Sequence, residues 1–220
     1  SAKMGEENIP LRITEFPEKN RDSLQLFLPI LKPDSLEIIV EKGEYIKSFK
    51  TKIKENKLTD SLDINPFQSN VGFRDTYNLK TKTPIDKIEK SKIILLNKDS
   101  IAIPFEYSYN EFEQKIAFNF KKEENQKYQI ELLPGAITDF YNTQNDSLLF
   151  TFSTRSLSDY GNLNVITKNI NRFPYIIEII TDKGEVIARE IKNDDQPTFF
   201  EAIEPRIYTL RVIYDDNNNG

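Results

Sequence analysis

An all-β fold of small β-sandwich modules in tandem is predicted by three observations. Apolar residues alternate with a period of two along most of the chain and almost nowhere recur at helical spacing. Turn signals punctuate the alternation at the spacing usual for sandwiches: Lys42-Gly43, Asn97-Lys-Asp99, Glu123-Glu-Asn125, Asp182-Lys-Gly184 and Asn193-Asp-Asp195. Apolar content is low, at 38%, and charged content high, at 30%, over 220 residues. That balance suits several thin domains with much surface better than one large core.

Taken in order, the alternation predicts strands over 24–28, 36–41, 46–53, 61–64, 76–83, 92–96, 101–109, 115–120, 127–133 and 148–154. A last group follows over 163–167, 175–181, 185–191, 198–203 and 207–214. Pro104 interrupts the run Ile101-Ala-Ile-Pro-Phe-Glu-Tyr107. Proline cannot donate to a ladder, so this strand is expected at a sheet edge or bulged. A weak internal repeat relates Asp75-Thr-Tyr-Asn-Leu-Lys-Thr-Lys-Thr83 to Asp146-Ser-Leu-Leu-Phe-Thr-Phe-Ser-Thr154. Each reads as the closing strand of a module, which places joints near Thr83/Pro84 and Thr154/Arg155. The expected domains are 1–83, 84–156 and 157–220, strung on short linkers.

Composition removes several chemistries. The chain has no cysteine and no histidine. It therefore forms no disulfide, no Cys- or His-ligated metal site and no nucleophile–histidine pair. Thirty Lys and Arg against 35 Asp and Glu give a net charge of −5, which argues against a nucleic-acid surface or an anionic-membrane surface. The lysines of Lys50-Thr-Lys-Ile-Lys-Glu55 read as one solvated strand face. No apolar run reaches the length of a membrane span. Ser1-Ala-Lys-Met-Gly5 is not a signal peptide, so an export signal would lie upstream.

The segment Leu132-Leu-Pro-Gly-Ala-Ile-Thr-Asp-Phe-Tyr-Asn-Thr-Gln-Asn-Asp146, with the closing Phe150-Thr-Phe-Ser-Thr154, resembles the bacterial Ig-like domain of the SbsA type. In that family a Gly-Ala-x-x-Asp turn precedes a last strand ending Phe-Ser-Thr. The wider pattern over roughly 75–220 is similar to the multidomain Ig-like envelope lipoproteins of Bacteroidota. It includes Lys98-Asp-Ser100, Asp159-Tyr-Gly-Asn-Leu163 and the end Tyr208-Thr-Leu-Arg-Val-Ile-Tyr-Asp215. The last module resembles transthyretin-like or carboxypeptidase-regulatory-like sandwiches. Ile203-Glu-Pro-Arg206-Ile-Tyr208 departs from them by carrying Arg206 where glycine is usual, so either the turn differs or Arg206 is strained. The resemblance implies an extracytoplasmic protein associated with the outer membrane, periplasm or cell surface. It also implies attachment through a lipid anchor outside this chain, and no defined activity.

Few residues remain as candidates for chemistry. Asp215, Asn217, Asn219 and Gly220 match the start of an Asp-x-Asn-x-Asn-Gly calcium loop, whose alternate oxygens turn inward. The distal carboxylate is absent here, so calcium is expected only in a longer protein; the same residues also make a good turn. Asp139, Asn142, Asn145 and Asp146 form a second polar cluster, for which Asx-turns are a simpler account than a cation. Tyr107 and Tyr109 share one strand face with Phe105. They form either a binding face for sugars or a partner, or part of the core. Catalysis would need a carboxylate pair in a cleft. Glu123-Glu124 and Asp194-Asp195 read as solvated turns, and no glycine-rich phosphate loop occurs among seven glycines. The expected function is therefore non-catalytic. The chain reads as an envelope-associated spacer or scaffold that engages an envelope protein partner, with carbohydrate binding through Tyr and Phe faces as the alternative.

Overall fold

The computed structural model describes residues 1–4, 6–16, 23–31, 35–53 and 62–215. The protein is all-β. Among the described residues the only helical turns are two 3-10 segments, Lys90–Lys92 and Leu157–Asp159. The chain forms two compact units. The first comprises residues 1–69, 77–121 and 127–152, and the second 70–76, 122–126 and 153–220.

The first unit begins with short strands β1 (Ala2–Met4), β2 (Glu7–Ile9), β3 (Arg12–Glu15) and β4 (Leu24–Phe27), then the long hairpin β5 (Ser35–Lys42) and β6 (Tyr45–Lys52). Their sheet order is β2-β1-β5-β6, with β3 paired to β4. Ala2, Ile9 and Leu36 centre a small core here. Edge strand β6 is exposed at every position. Its lysines 47, 50 and 52 discourage further pairing along that edge.

The rest of the unit runs β7 (Ile64–Pro66), β8 (Tyr77–Thr81), β9 (Ile85–Ile88), β10 (Ile93–Leu96), β11 (Phe105–Asn110), β12 (Lys115–Phe120), β13 (Lys127–Leu132), β14 (Ile137–Asp139) and β15 (Leu148–Ser153). Two sheets, β11-β12-β8-β7 and β10-β13-β15, face each other, and β14 pairs with β9. Alternation supplies the core. Tyr77, Leu79, Ile116 and Phe118 point inward from one sheet, and Leu95, Tyr128, Ile130 and Leu132 from the other. Rings interlock between them: Tyr77 stacks on Phe152 at 3.8 Å, and Phe120 meets Tyr128 edge-on at 5.0 Å. Each such side chain, fully buried, stabilises the fold by roughly 1.5–3 kcal/mol. As Pro104 requires, β11 starts at Phe105 and lies at the sheet edge.

The strand read from sequence as the close of a first module has a different place. β8 lies inside the sheet, between β12 and β7. Thr83 is fully buried, and its hydroxyl donates to Asp139 Oδ2 at 2.8 Å. Arg12 in β3 also reaches Glu111 at 2.9 Å and Asp86 at 3.1 Å. Residues 84–121 and 127–152 thus fold in one unit with 1–69 and 77–83, without a linker at Thr83/Pro84.

The second unit contains β16 (Gly161–Val165), β17 (Tyr175–Ile180), β18 (Val186–Lys192), β19 (Thr198–Ile203) and β20 (Thr209–Tyr214). They form two sheets, β16-β19 and β18-β17-β20. Val165, Tyr175, Ile177, Ile179, Ala188, Phe200 and Ile203 make its core. Arg206 does not adopt a left-handed backbone; the residue that does so nearby is Ala202, at φ 52°. The turn therefore differs from the glycine-bearing one rather than straining Arg206.

Candidate functional site

Three of the sequence-derived candidates, Asp139, Asn145 and Tyr109, bond to other parts of the chain. At the end of β14, Asp139 is fully buried. Its Oδ1 accepts from the Tyr141 and Thr143 N–H groups at 2.9 and 2.8 Å, and its Oδ2 accepts from Thr83. Asn145 Oδ1 accepts from Ile137 N–H at 2.7 Å while its Nδ2 donates to the Leu133 carbonyl at 3.0 Å. Asn142 sits at φ 62°, a conformation asparagine tolerates. The Asp139 and Asn145 side-chain oxygens are thus engaged by donors of the chain itself, in the manner of Asx-turns. Asp215 is buried, and its N–H donates to the Pro174 carbonyl at 3.1 Å. Asn217 and Asn219 lie outside the described residues.

Tyr107 and Tyr109 lie, with Phe105, on the half-buried face of β11. Tyr109 Oη accepts from Ile85 N–H at 2.9 Å, and burial pushes its phenol above the ordinary range. Phe105 packs on Phe118 at 5.7 Å. Phe105 and Tyr109 of this strip are thus engaged within the protein.

The second unit gathers a set of side chains that the sequence did not single out. The turn 70–76 is fixed by Val71 N–H on the Ser153 carbonyl and by Arg74 Nε on the Glu201 carbonyl, at 3.0 and 2.7 Å. Lys122 Nζ donates to the Phe73 carbonyl at 3.2 Å. Burial pulls its ammonium below the usual range, and Asp75 opposes that shift. Phe73 meets Tyr160 edge-on at 5.3 Å. Glu204 pairs with Arg206 at 2.8 Å. Asp75 Oδ2 and Glu204 Oε1 lie 2.5 and 3.7 Å from the point a Cβ would occupy on Gly72, so the two carboxylates converge on the space this glycine leaves open. Burial, and then these carboxylates, push the Tyr160 phenol up. Tyr208 is raised by burial and by the same acids, with Arg206 opposing. At neutral pH both phenols are hydrogen-bond donors beside two acceptors and apolar ring surface. The set can hold hydroxyl-rich groups, and it contains no nucleophile paired with a base.

Across β18, β17 and β20 a buried carboxylate lies between two cations. Glu178, with a side chain 5% exposed, takes Arg211 at 2.8 Å and Arg189 at 3.5 Å. β20 is an edge strand whose outer side pairs with no strand among the described residues. Leu210, Val212 and Tyr214 remain 46%, 41% and 36% exposed along it.

No family model matches the chain, and no curated protein matches its sequence.

Proposed function

We propose that this chain is a non-catalytic structural and protein-interaction module of the bacterial cell envelope, a spacer or scaffold of the SbsA-type Ig-like kind. It works outside the cytoplasm, with membrane attachment supplied by a lipid anchor beyond this chain. The observation that carries the reading is the interleaving of the second unit. Residues 153–220 fold together with two segments from earlier in the chain, 70–76 and 122–126. The locks are specific. Thr154 N–H donates to the Gln126 carbonyl at 2.9 Å, Asn125 N–H to the Arg155 carbonyl at 3.2 Å, and Leu157 N–H to Glu124 Oε2 at 2.9 Å. A unit assembled from three separated segments is not a detachable module, and that suits a structural spacer.

The test is to express residues 153–220 alone. Loss of the cooperative thermal transition that these residues show in the whole chain is expected. A fragment that melts cooperatively at the temperature seen in the intact chain would sink the scaffold reading. Turnover of a glycoside, ester or peptide, abolished by one Asp or Glu to Ala change, would sink its non-catalytic part.

Carbohydrate binding is a second reading, supported by the Phe73, Tyr160 and Tyr208 rings beside Asp75 and Glu204. Sugar rings stack on aromatic surface while their hydroxyls bond carboxylates. Saturable glycan binding lost in Tyr160→Ala is the outcome that favours it.

A further inference from the structure

We propose that β20 is a self-association edge, where a second copy of this chain adds its own β20 antiparallel across a twofold axis centred on Val212. This rests on the interaction-module reading and goes further by naming the partner and the register.

The phase of the ladder comes first. The Asp215 N–H donates to the Pro174 carbonyl, continuing the register in which Tyr214 faces Tyr175 and Ile213 faces Ile176. In an antiparallel pair, hydrogen-bonded and non-bonded residue pairs alternate. Residues 215, 213, 211 and 209 therefore turn their backbone groups toward β17. Leu210, Val212 and Tyr214 turn their N–H and C=O groups to the open edge.

The strand itself carries few of the devices that usually prevent pairing, and the cation nearest its end, Arg172, is stacked on the Tyr214 ring at 4.5 Å. Thr209-Leu-Arg-Val-Ile-Tyr214 has no proline, no lysine and one charge, and its six pairs with β17 run without a register shift. Arg211 is already held by Glu178, so it does not guard the edge with a free cation.

Self-pairing selects one register. Centred on Val212, the strands place Val212 opposite its twin, Leu210 opposite the second copy's Tyr214, and Arg211 opposite its Ile213. All three outward residues then become bonded pairs, with roughly six backbone hydrogen bonds. The exposed Leu210, Val212 and Tyr214 side chains cover one another on one face. Centring on Arg211 or Ile213 leaves roughly four bonds, and the former sets two arginines face to face. The apolar side chains and the outward hydrogen-bonding groups are thus complementary to themselves in a single arrangement.

Light scattering of the whole chain over a concentration series should show the mass rising from 25.7 kDa toward twice that value. Val212→Lys puts two ammonium groups opposite each other and should hold the mass at the monomer value with an unchanged far-UV spectrum. A register test avoids reliance on that variant. The chain has no cysteine, and Arg211 and the second copy's Ile213 form a non-bonded pair with Cα atoms about 4.5 Å apart, within disulfide reach. Mixing Arg211→Cys with Ile213→Cys should give a disulfide heterodimer on oxidation, many-fold faster than either variant alone. The proposal is overturned by a monomer at every concentration, by a dimer that Val212→Lys leaves intact, or by cross-linking equally fast in the single variants. None of these results touches the scaffold reading, which stands or falls on the 153–220 fragment and the turnover screen.

Discussion

Replacing Tyr77 by Phe should stabilise the protein, and by more at high pH. The ring of Tyr77 is fully buried and stacks on Phe152 at 3.8 Å with 12° between the planes. Its hydroxyl is buried with no hydrogen-bond partner among the described residues. Phe keeps the ring contacts and removes only that oxygen. An unpaired buried hydroxyl costs roughly 1–3 kcal/mol, so a gain of about 1 kcal/mol is expected at pH 8.

Burial also pushes the Tyr77 phenol from 10.0 up to about 12. An unfolded chain gives up this proton near pH 10, whereas the folded chain holds it. The contribution to stability is therefore whole below pH 10, declines between pH 10 and 12, and is lost above. Each pKa unit corresponds to about 1.4 kcal/mol, so the advantage of Tyr77→Phe should widen to about 2 kcal/mol at pH 11. Tyr109, Tyr160 and Tyr208 are raised too, but they are common to both proteins and cancel in the difference. Urea unfolding followed by far-UV circular dichroism at pH 8 and pH 11 measures both gaps. A variant less stable than the parent by more than about 1 kcal/mol at pH 8, or a gap that does not widen, refutes the reasoning.

Asp139→Ala should cost about 2–4 kcal/mol by urea unfolding, because it strands the Thr83 hydroxyl and two N–H donors, while Asp139→Asn, which keeps an acceptor for those N–H groups, should cost about 1 kcal/mol. Glu178→Gln removes the carboxylate between Arg189 and Arg211; with both arginines nearly half exposed, the loss should be only about 1–2 kcal/mol, and it should shrink in 1 M salt. A loss above about 4 kcal/mol would mean that the arginines are far less hydrated than their exposure indicates. Because Asp139 is engaged by three donors of the chain, the melting temperature should not move between EDTA and about 1 mM calcium; a clear upward shift would reveal a cation site.

Strands were legible where one alternating run ended in a turn. β12 and β19 have the bounds that the sequence predicts: Lys115–Phe120 buries every second residue, and Thr198–Ile203 alternates as far as Phe200 before the left-handed Ala202 shifts the phase and turns Ile203 inward. β1, β2, β3, β9 and β14 were missed. Each has only three or four residues, too few for a period to show, and β1, β9 and β14 are also held by partners distant in sequence. The same reason hid the Phe73–Tyr160 cluster. Its members come from four separated segments, and only the apolar Val71 and Phe73 flanking Gly72 within a polar stretch gave a local sign that this turn is buried.

The repeat is the instructive case, since its pattern is present but its meaning differs. Thr83 and Thr154 each end an alternating run of sequence, just past β8 and β15, which made both look like the close of a module. Both are buried, and both spend their hydroxyl on a neighbouring segment: Thr83 on Asp139, Thr154 on the Glu123 carbonyl. A threonine suits that position because its methyl joins the apolar face while its hydroxyl satisfies a buried acceptor. What recurs after 71 residues is therefore a way of docking a strand end onto another part of the same unit. An exposed linker would leave that hydroxyl to water and give no reason for threonine at either position.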